Sequence, residues 1–161
     1  MRIDIFFDTI CPWCFIGKRR LEEMLSRRPQ FNADIYWHAF LLNPDMPAEG
    51  TDFGNYMQNK FGGELRSQRL FAAIDQAGRS VGIEFDFAKV GRTPSTIDSH
   101  RLVRYAARDE RASEMVETLY QNYFMEGRDI GNRSVLIDIG EKMGFDGADI
   151  REYLYSDEDI A

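Results

Sequence analysis

A cysteine pair set just behind a short strand constrains the fold of this chain more than any other stretch. Residues 3–7 are mostly β-branched and aromatic, which is typical of a buried strand. Apolar residues at helical spacing follow the pair, among them Leu21 and Leu25. Cys11 and Cys14, the two cysteines of the sequence, therefore lie at a strand-to-helix junction. Their spacing makes them one redox unit.

The junction favours a thiolate at Cys11. A helix N-terminus presents unpaired N–H groups and a partial positive charge, and both lower the pKa of a nearby thiol. The helix dipole supplies at most about 2 kcal/mol, whereas lowering a thiol pKa from about 8.5 to about 5 takes roughly 5 kcal/mol. The remainder requires hydrogen bonds to sulfur from the amides of Trp13 and Cys14, since Pro12 has no N–H.

These placements predict a role for each residue of the motif. Cys11 attacks a disulfide, and Cys14, one turn along and more buried, is the resolving thiol. Pro12 fixes φ for the first helical turn, and Trp13 offers a flat apolar surface to a peptide partner. His100, near the start of a later helix, is a supporting candidate facing the thiol cleft, with packing or capping as its alternative role.

Three other interpretations of the cysteine pair are weaker. Tetrahedral zinc needs four ligands, and the other soft donors, His38 and His100, are distant in the sequence. Inert core cysteines fit poorly with the Pro and Trp between them. A structural disulfide is disfavoured because no signal peptide is recognised at the N-terminus, which predicts a cytoplasmic protein. We therefore expect a redox-active disulfide between Cys11 and Cys14, with no metal and no bound cofactor.

The net charge and the hydropathy of the sequence argue against two classes of partner, nucleic acids and membranes. The formal net charge of −7 disfavours nucleic acid and anionic membrane surfaces, which both require concentrated positive charge. No apolar run reaches the length of about 18 residues that a membrane span requires. The basic run at residues 18–20 is expected to form a solvated face.

The order of predicted elements indicates an α/β fold with a helical insertion. Residues 33–40 alternate and are rich in aromatics, which predicts a second strand and hence a right-handed parallel βαβ unit. Turn residues fill 41–50, and segment 83–87 is expected to be extended or loop. Breaks at Gly or Pro separate six predicted helices, at residues 53–61, 64–81, 95–108, 112–124, 134–143 and 148–155.

Three stretches carry a resemblance to a known family. They are residues 8–18, with Cys-Pro-Trp-Cys followed by Phe-Ile-Gly-Lys, residues 98–101, and residues 124–130. Together they resemble the FrnE-type branch of the DsbA-like thiol–disulfide oxidoreductases, over nearly the whole chain. The resemblance implies a thioredoxin-like domain whose helical insertion caps the active site, with Cys11 as nucleophile and Cys14 as resolving residue. The 2-hydroxychromene-2-carboxylate isomerases and kappa-class glutathione transferases are similar in layout but typically carry serine where Cys11 stands.

The chain departs from the family pattern in two places. Ser95 stands where the family often has the asparagine of a Pro-Asn-Thr run. A thioredoxin-like domain would also continue into a Val-Pro turn, two further strands and a last helix. We therefore predict a thioredoxin-like βαβ half over residues 1–45, a helical cap over 46–156, and a truncated end at 157–161 with the remaining half absent. The exposed sheet edge then favours a homodimer.

Three functions are consistent with the sequence. The first is a thiol–disulfide oxidoreductase that acts on protein or small-molecule disulfides and dithiols through Cys11 and Cys14. The second is a glutathione-dependent isomerase or kappa-type transferase, in which Cys11 holds or activates glutathione. The third is an inactive truncated remnant.

Overall fold

A small parallel sheet carries the first helix, as the sequence predicts. The computed structural model describes residues 1–160. Strand β1 (Arg2–Phe7) pairs in parallel with β2 (Asp34–Ala39), with Ile3 opposite Ile35, and helix α1 (Pro12–Ser26) connects the two strands. The predicted βαβ unit is confirmed, although α1 ends at Ser26, short of the Arg-Pro pair at 28–29. The carboxyl end of β1 leads directly to the cysteine pair.

The rest of the described chain is mainly helical, and the mixed α/β class is confirmed. The six predicted helices are all present, and each observed end lies within two residues of the predicted one. They are α2 (Phe53–Phe61), α3 (Glu64–Arg79), α4 (Ile97–Ala107), α5 (Ala112–Phe124), α6 (Arg133–Lys142) and α7 (Gly147–Tyr155). Among these helices, none is both long and apolar enough to cross a bilayer. The division at residues 45 and 156 stays a prediction, and Ala161, the last residue of the predicted end segment, lies outside the described residues.

Two short strands are not predicted from the sequence. Strand β3 (Thr51–Asp52) pairs antiparallel with β4 (Arg92–Thr93). Two residues are too few to show an alternating pattern, so their pairing depends on tertiary contacts. Gly50, just before β3, has φ +70, and a Cβ there would lie 2.6 Å from the carbonyl oxygen of Thr93. Glycine is required at this close approach, which holds the start of the helical region against the segment before α4.

The prediction that residues 18–20 form a solvated face is wrong for Lys18, which is buried. Its side chain is only 4% exposed, and its ammonium group lies 2.8 Å from the carboxylate of Glu117 on α5 and 2.5 Å from that of Glu22. Arg19 also donates to Glu117. Burial would raise the pKa of Glu117, but the hydrogen bonds from Arg19 and Lys18 outweigh it and lower that pKa. The basic run therefore ties α1 to α5.

A buried guanidinium fastens the end of α7 to α4. Arg101 is 2% exposed, and all five of its N–H groups have acceptors. The acceptors are the Asp98 carboxylate and the carbonyl oxygens of Tyr153, Leu154, Ser156 and Glu158. These carbonyls include the last ones of a helix, which lack intrahelical partners. Arg101 therefore caps α7 from inside the core.

Candidate active site

Cys11 lies at the N-cap of α1, where the sequence places it. Its φ of −94 and ψ of 107 are extended, and Pro12 occupies the first helical position. The amide of Cys11 donates to the carbonyl oxygen of Asp8 at 3.1 Å, which closes a tight turn out of β1. The amide of Cys14 in turn donates to the carbonyl oxygen of Cys11 at 3.1 Å. The strand, the turn and the proline together fix the position of the first thiol.

The two thiols form one titrating unit. Interaction with the neighbouring Cys11 side chain lowers the pKa of Cys14 to about 7, and the same interaction raises the pKa of Cys11. The amides of Trp13 and Cys14 act on Cys11 in the opposite sense and lower its pKa. The thiolate that the sequence predicts at Cys11 stays a prediction, because the two thiols titrate together and share one ionisation.

Tyr120 is a site residue on α5 whose helical spacing with other apolar residues identifies it only as part of the core. Its hydroxyl donates to the carbonyl oxygen of Asp8 at 3.1 Å and lies near enough to Cys14 to lower the pKa of that thiol. Burial, followed by the negative charge of the nearby cysteines, raises the pKa of Tyr120 well above its ordinary value, so the hydroxyl stays a donor. Its ring stacks on Phe15 with centroids 4.8 Å apart. The apolar spacing along α5 predicts that the Tyr120 ring is buried, but it does not predict what its hydroxyl bonds to.

His100 lies behind the motif and outside the cleft that the sequence predicts for it. Its Nε2 atom is 3.1 Å from Oδ1 of Asp8, and both side chains are buried. The other carboxylate oxygen of Asp8 accepts from the amide of Leu42 at 2.8 Å. The His100 ring also packs edge-on against Phe7, with centroids 4.9 Å apart. His100 therefore reaches the cysteine pair only through Asp8.

A cavity of about 260 Å³ opens beside Cys11. Cys11, Pro12 and Trp13 form one wall, whereas Cys14 does not line it. Trp13 is 47% exposed, as expected for a residue at the tip of the motif. Aromatic side chains make up much of the rest of the lining, namely Phe53, Tyr56, Phe61, Phe71, Phe87, Tyr123 and Phe124. Both cysteines are half-buried, so the cavity distinguishes the two thiols more clearly than burial does.

Two polar groups of the cavity wall are relevant to ligand binding. The ammonium group of Lys60 contacts the neutral hydroxyl of Tyr56 at 2.6 Å and the amide oxygen of Asn43 at 3.0 Å. The side chain of Thr93 is buried, and among residues 1–160 its hydroxyl has no hydrogen-bond partner. Within the same residues, no group of three or more His, Cys, Asp or Glu side chains is placed to hold a metal ion.

The chain was compared with protein families and with curated proteins. The family model of the DSBA-like thioredoxin domain matches residues 2–161. The uncharacterized protein YwbO of Bacillus subtilis is 25% identical over 154 residues, which cover 96% of this chain and 72% of that protein.

Solved structures share the fold. A probable DsbA oxidoreductase from Streptomyces coelicolor has a TM-score of 0.89 at 22% identity and covers 99% of this chain and 69% of its own. The cytosolic disulfide reductase DsbM from Pseudomonas aeruginosa, solved with GSH, has a TM-score of 0.68 at 19% identity, covering 96% of this chain and 70% of its own. The predicted thioredoxin-like fold class is thereby confirmed.

Proposed function

Because the chain belongs to the DSBA-like thioredoxin domain family, whose members are thiol–disulfide oxidoreductases and related enzymes, we propose that it exchanges disulfides through Cys11 and Cys14. One observation carries the assignment of roles. Cys11 lies at the N-cap of α1 beside Cys14, and Cys11 lines the adjacent cavity while Cys14 does not. Cys11 is therefore the attacking thiol and Cys14 the resolving thiol.

The titration of the pair supports attack near neutral pH. A group with a pKa of about 7 is about half ionised at pH 7, whereas a thiol with an ordinary pKa of about 8.5 is ionised to about 3%. We propose that Cys11 carries this charge when it attacks. The amides of Trp13 and Cys14 then stabilise the Cys11 thiolate.

The exchange proceeds in two displacements. The Cys11 thiolate attacks one sulfur of a substrate disulfide, forms a mixed disulfide, and releases the other substrate sulfur as a thiolate. The Cys14 thiolate then attacks the Cys11 sulfur, which releases the second substrate thiolate and forms the Cys11–Cys14 disulfide. Two electrons pass to the substrate, whose two thiolates take up the two protons that the cysteines lose. The reverse sequence oxidises a dithiol.

Glutathione is proposed as a reductant for the resulting disulfide. The support is the solved neighbour DsbM, a cytosolic reductase whose structure contains GSH. We propose the same compartment for this chain. A glutathione-dependent isomerase or transferase remains the competing function, and it differs in that Cys14 takes no part in its chemistry.

Single-cysteine variants test the assignment. Reduced Cys14→Ser should accumulate a mixed disulfide at Cys11 with a small disulfide, whereas Cys11→Ser should react far more slowly. Intact-protein mass spectrometry counts the adducts, and peptide mapping locates them. Equal adduct formation by the two variants would contradict the roles. Full turnover by Cys14→Ser in a glutathione-dependent isomerase assay would favour the competing function.

A further inference from the structure

We infer that the cavity beside Cys11 binds a small aromatic disulfide that carries an acidic group. This inference rests on the proposed function and names the substrate class of the same site. Three independent features of the cavity carry it: its aromatic wall, the charge of Lys60, and the unpartnered hydroxyl of Thr93.

The wall and the volume fit an aromatic ring. Rings contributed by α2, α3 and α5 face the cavity, and Phe71 and Phe87 lie with their centroids 4.7 Å apart. A dry cavity of about 150 Å³ with a similar apolar wall holds one benzene. The 260 Å³ beside Cys11 therefore accommodate one substituted ring. Cys11 lies in the same wall, so a sulfur attached to that ring is within the reach of the attacking thiol.

The charge of Lys60 should make the cavity bind ligands that carry an acidic group more tightly than neutral ones. In a chain of net charge −7, most cations pair with carboxylates, but Lys60 contacts only the neutral groups of Tyr56 and Asn43. Within residues 1–160, no carboxylate forms an ion pair with it, and its side chain lines the cavity. An anionic substituent on the bound ring would complete the pairing of this ammonium group.

The Thr93 hydroxyl provides a hydrogen bond to the ligand. Thr93 is 1% exposed and lines the cavity, and its Oγ1 has no partner at hydrogen-bonding distance among the described residues, because the nearby Tyr123 hydroxyl donates to the carbonyl oxygen of Arg92. A buried polar group without a partner costs free energy, which a ligand atom that bonds to it recovers. Glutathione offers carboxylates to Lys60 but no ring to the aromatic wall, so it can reach Cys11 as a reductant without filling the cavity.

The reaction balances without a further reactant in a single turnover. The Cys11 thiolate attacks the aryl disulfide, forms a Cys11–S–S–aryl bond and releases one arylthiolate. Cys14 displaces the second arylthiolate and closes the protein disulfide, so the two cysteines supply the two electrons. Dithiothreitol restores the reduced protein for multiple turnovers.

Stopped-flow oxidation of the reduced protein by three disulfides tests the inference. The probes are 5,5′-dithiobis(2-nitrobenzoate), which is aromatic and acidic, 4,4′-dithiodipyridine, which is aromatic and uncharged, and oxidised glutathione, which is acidic without a ring. Each rate is divided by the rate of the same probe with N-acetylcysteine, which removes intrinsic reactivity. We expect a normalised rate for the aromatic acid at least about tenfold above that for oxidised glutathione, with saturation at high concentration.

Two variants locate the binding. Lys60→Met should weaken saturation by the aromatic acid about threefold, as expected for one rim ion pair, and leave dithiodipyridine unchanged. Lys142→Met, whose lysine pairs with Asp138 on α6, is the matched control and should change neither. Thr93→Val removes a hydroxyl that has no protein partner, so the variant should fold normally and weaken binding of the aromatic acid.

The outcomes separate the two proposals. Equal normalised rates for all probes, linear in concentration, would overturn the aromatic site and leave the oxidoreductase intact. A preference for oxidised glutathione would also overturn the aromatic site. Failure of the reduced protein to form the Cys11–Cys14 disulfide with any probe would overturn the oxidoreductase itself.

Discussion

Nε2 of His100 lies 3.1 Å from Oδ1 of Asp8, and both side chains are buried beneath the cysteine pair. The contact joins residues 92 positions apart and fixes the turn that carries Cys11. Asp8 also accepts from the amide of Leu42. This contact therefore couples β1, α4 and the segment after β2.

Removing the imidazole should destabilise the protein. His100→Phe keeps a ring in place but deprives a buried carboxylate of one partner, and we expect a loss of about 2 kcal/mol in the free energy of unfolding. Urea denaturation measures it. His38→Phe is the control, because His38 contacts Asp4 at the surface and should change little. Equal effects of the two substitutions would contradict the supporting role of His100.

Tyr120→Phe should raise the pKa of the cysteine pair. The substitution removes a polar hydroxyl that lowers the pKa of Cys14 while keeping the stacked ring. Loss of a polar interaction of about 1 kcal/mol reduces the thiolate population below the pKa about fivefold. Because the wild-type pKa is about 7, the difference should appear at and below pH 7 and vanish at high pH.

Thiolate absorbance as a function of pH measures this shift. Tyr123→Phe is the matched control on the same helix, since its hydroxyl donates to the carbonyl oxygen of Arg92 at 2.9 Å. An unchanged midpoint in Tyr120→Phe would show that its hydroxyl does not act on Cys14.

Glu117→Gln should destabilise the protein at neutral pH by about 2 kcal/mol, because the buried Lys18 loses a charged partner. The folded pKa of Glu117 is lowered, so its contribution is present above the unfolded pKa of about 4.5 and is lost as the pH falls through the folded value. Wild type and variant should therefore converge in acid. Unfolding curves at several pH values check this, with Glu114→Gln as an exposed control on α5. A difference that persists at the lowest pH would contradict the ionic origin.

Arg101→Met should loosen α7. The carbonyl oxygens of Leu154, Ser156 and Glu158 lose a donor, that of Tyr153 loses one of several, and we expect a loss of about 3 kcal/mol in stability. Hydrogen exchange should quicken first in α7. Arg104→Met, on the same helix but exposed and paired with Asp159, should have little effect. Unchanged protection of α7 in Arg101→Met would refute the capping role.

The β1–β2 sheet has an exposed, partly apolar face as well as unpaired edges, and both predict self-association. Within residues 1–160 this sheet has two strands, and Phe6 on β1 is 68% exposed. Light scattering should show a dimer that Phe6→Lys weakens. Leu65→Lys replaces a residue that is 72% exposed on α3, away from the sheet, and should leave the dimer intact. A monomer at all concentrations would contradict this prediction.

Patterns among neighbouring residues were sufficient to predict the helices, the strands β1 and β2, and the position of the cysteine motif. The alternation in β1, the Gly and Pro breaks between helices, and the spacing of Cys11 and Cys14 are properties of neighbouring residues, so the sequence predicts them directly. The same patterns miss β3 and β4, whose two residues each pair only when the chain is folded.

The sequence by itself thus determined a redox pair at a strand-to-helix junction and the helices that follow it. Only the tertiary structure decided what surrounds that pair: Tyr120 at Cys14, His100 on Asp8, and the cavity with Lys60 beside Cys11. The physical reason is that apolar spacing fixes which face of a helix is buried. The partner of a hydroxyl, an imidazole or an ammonium group depends on which elements pack together over long sequence distances.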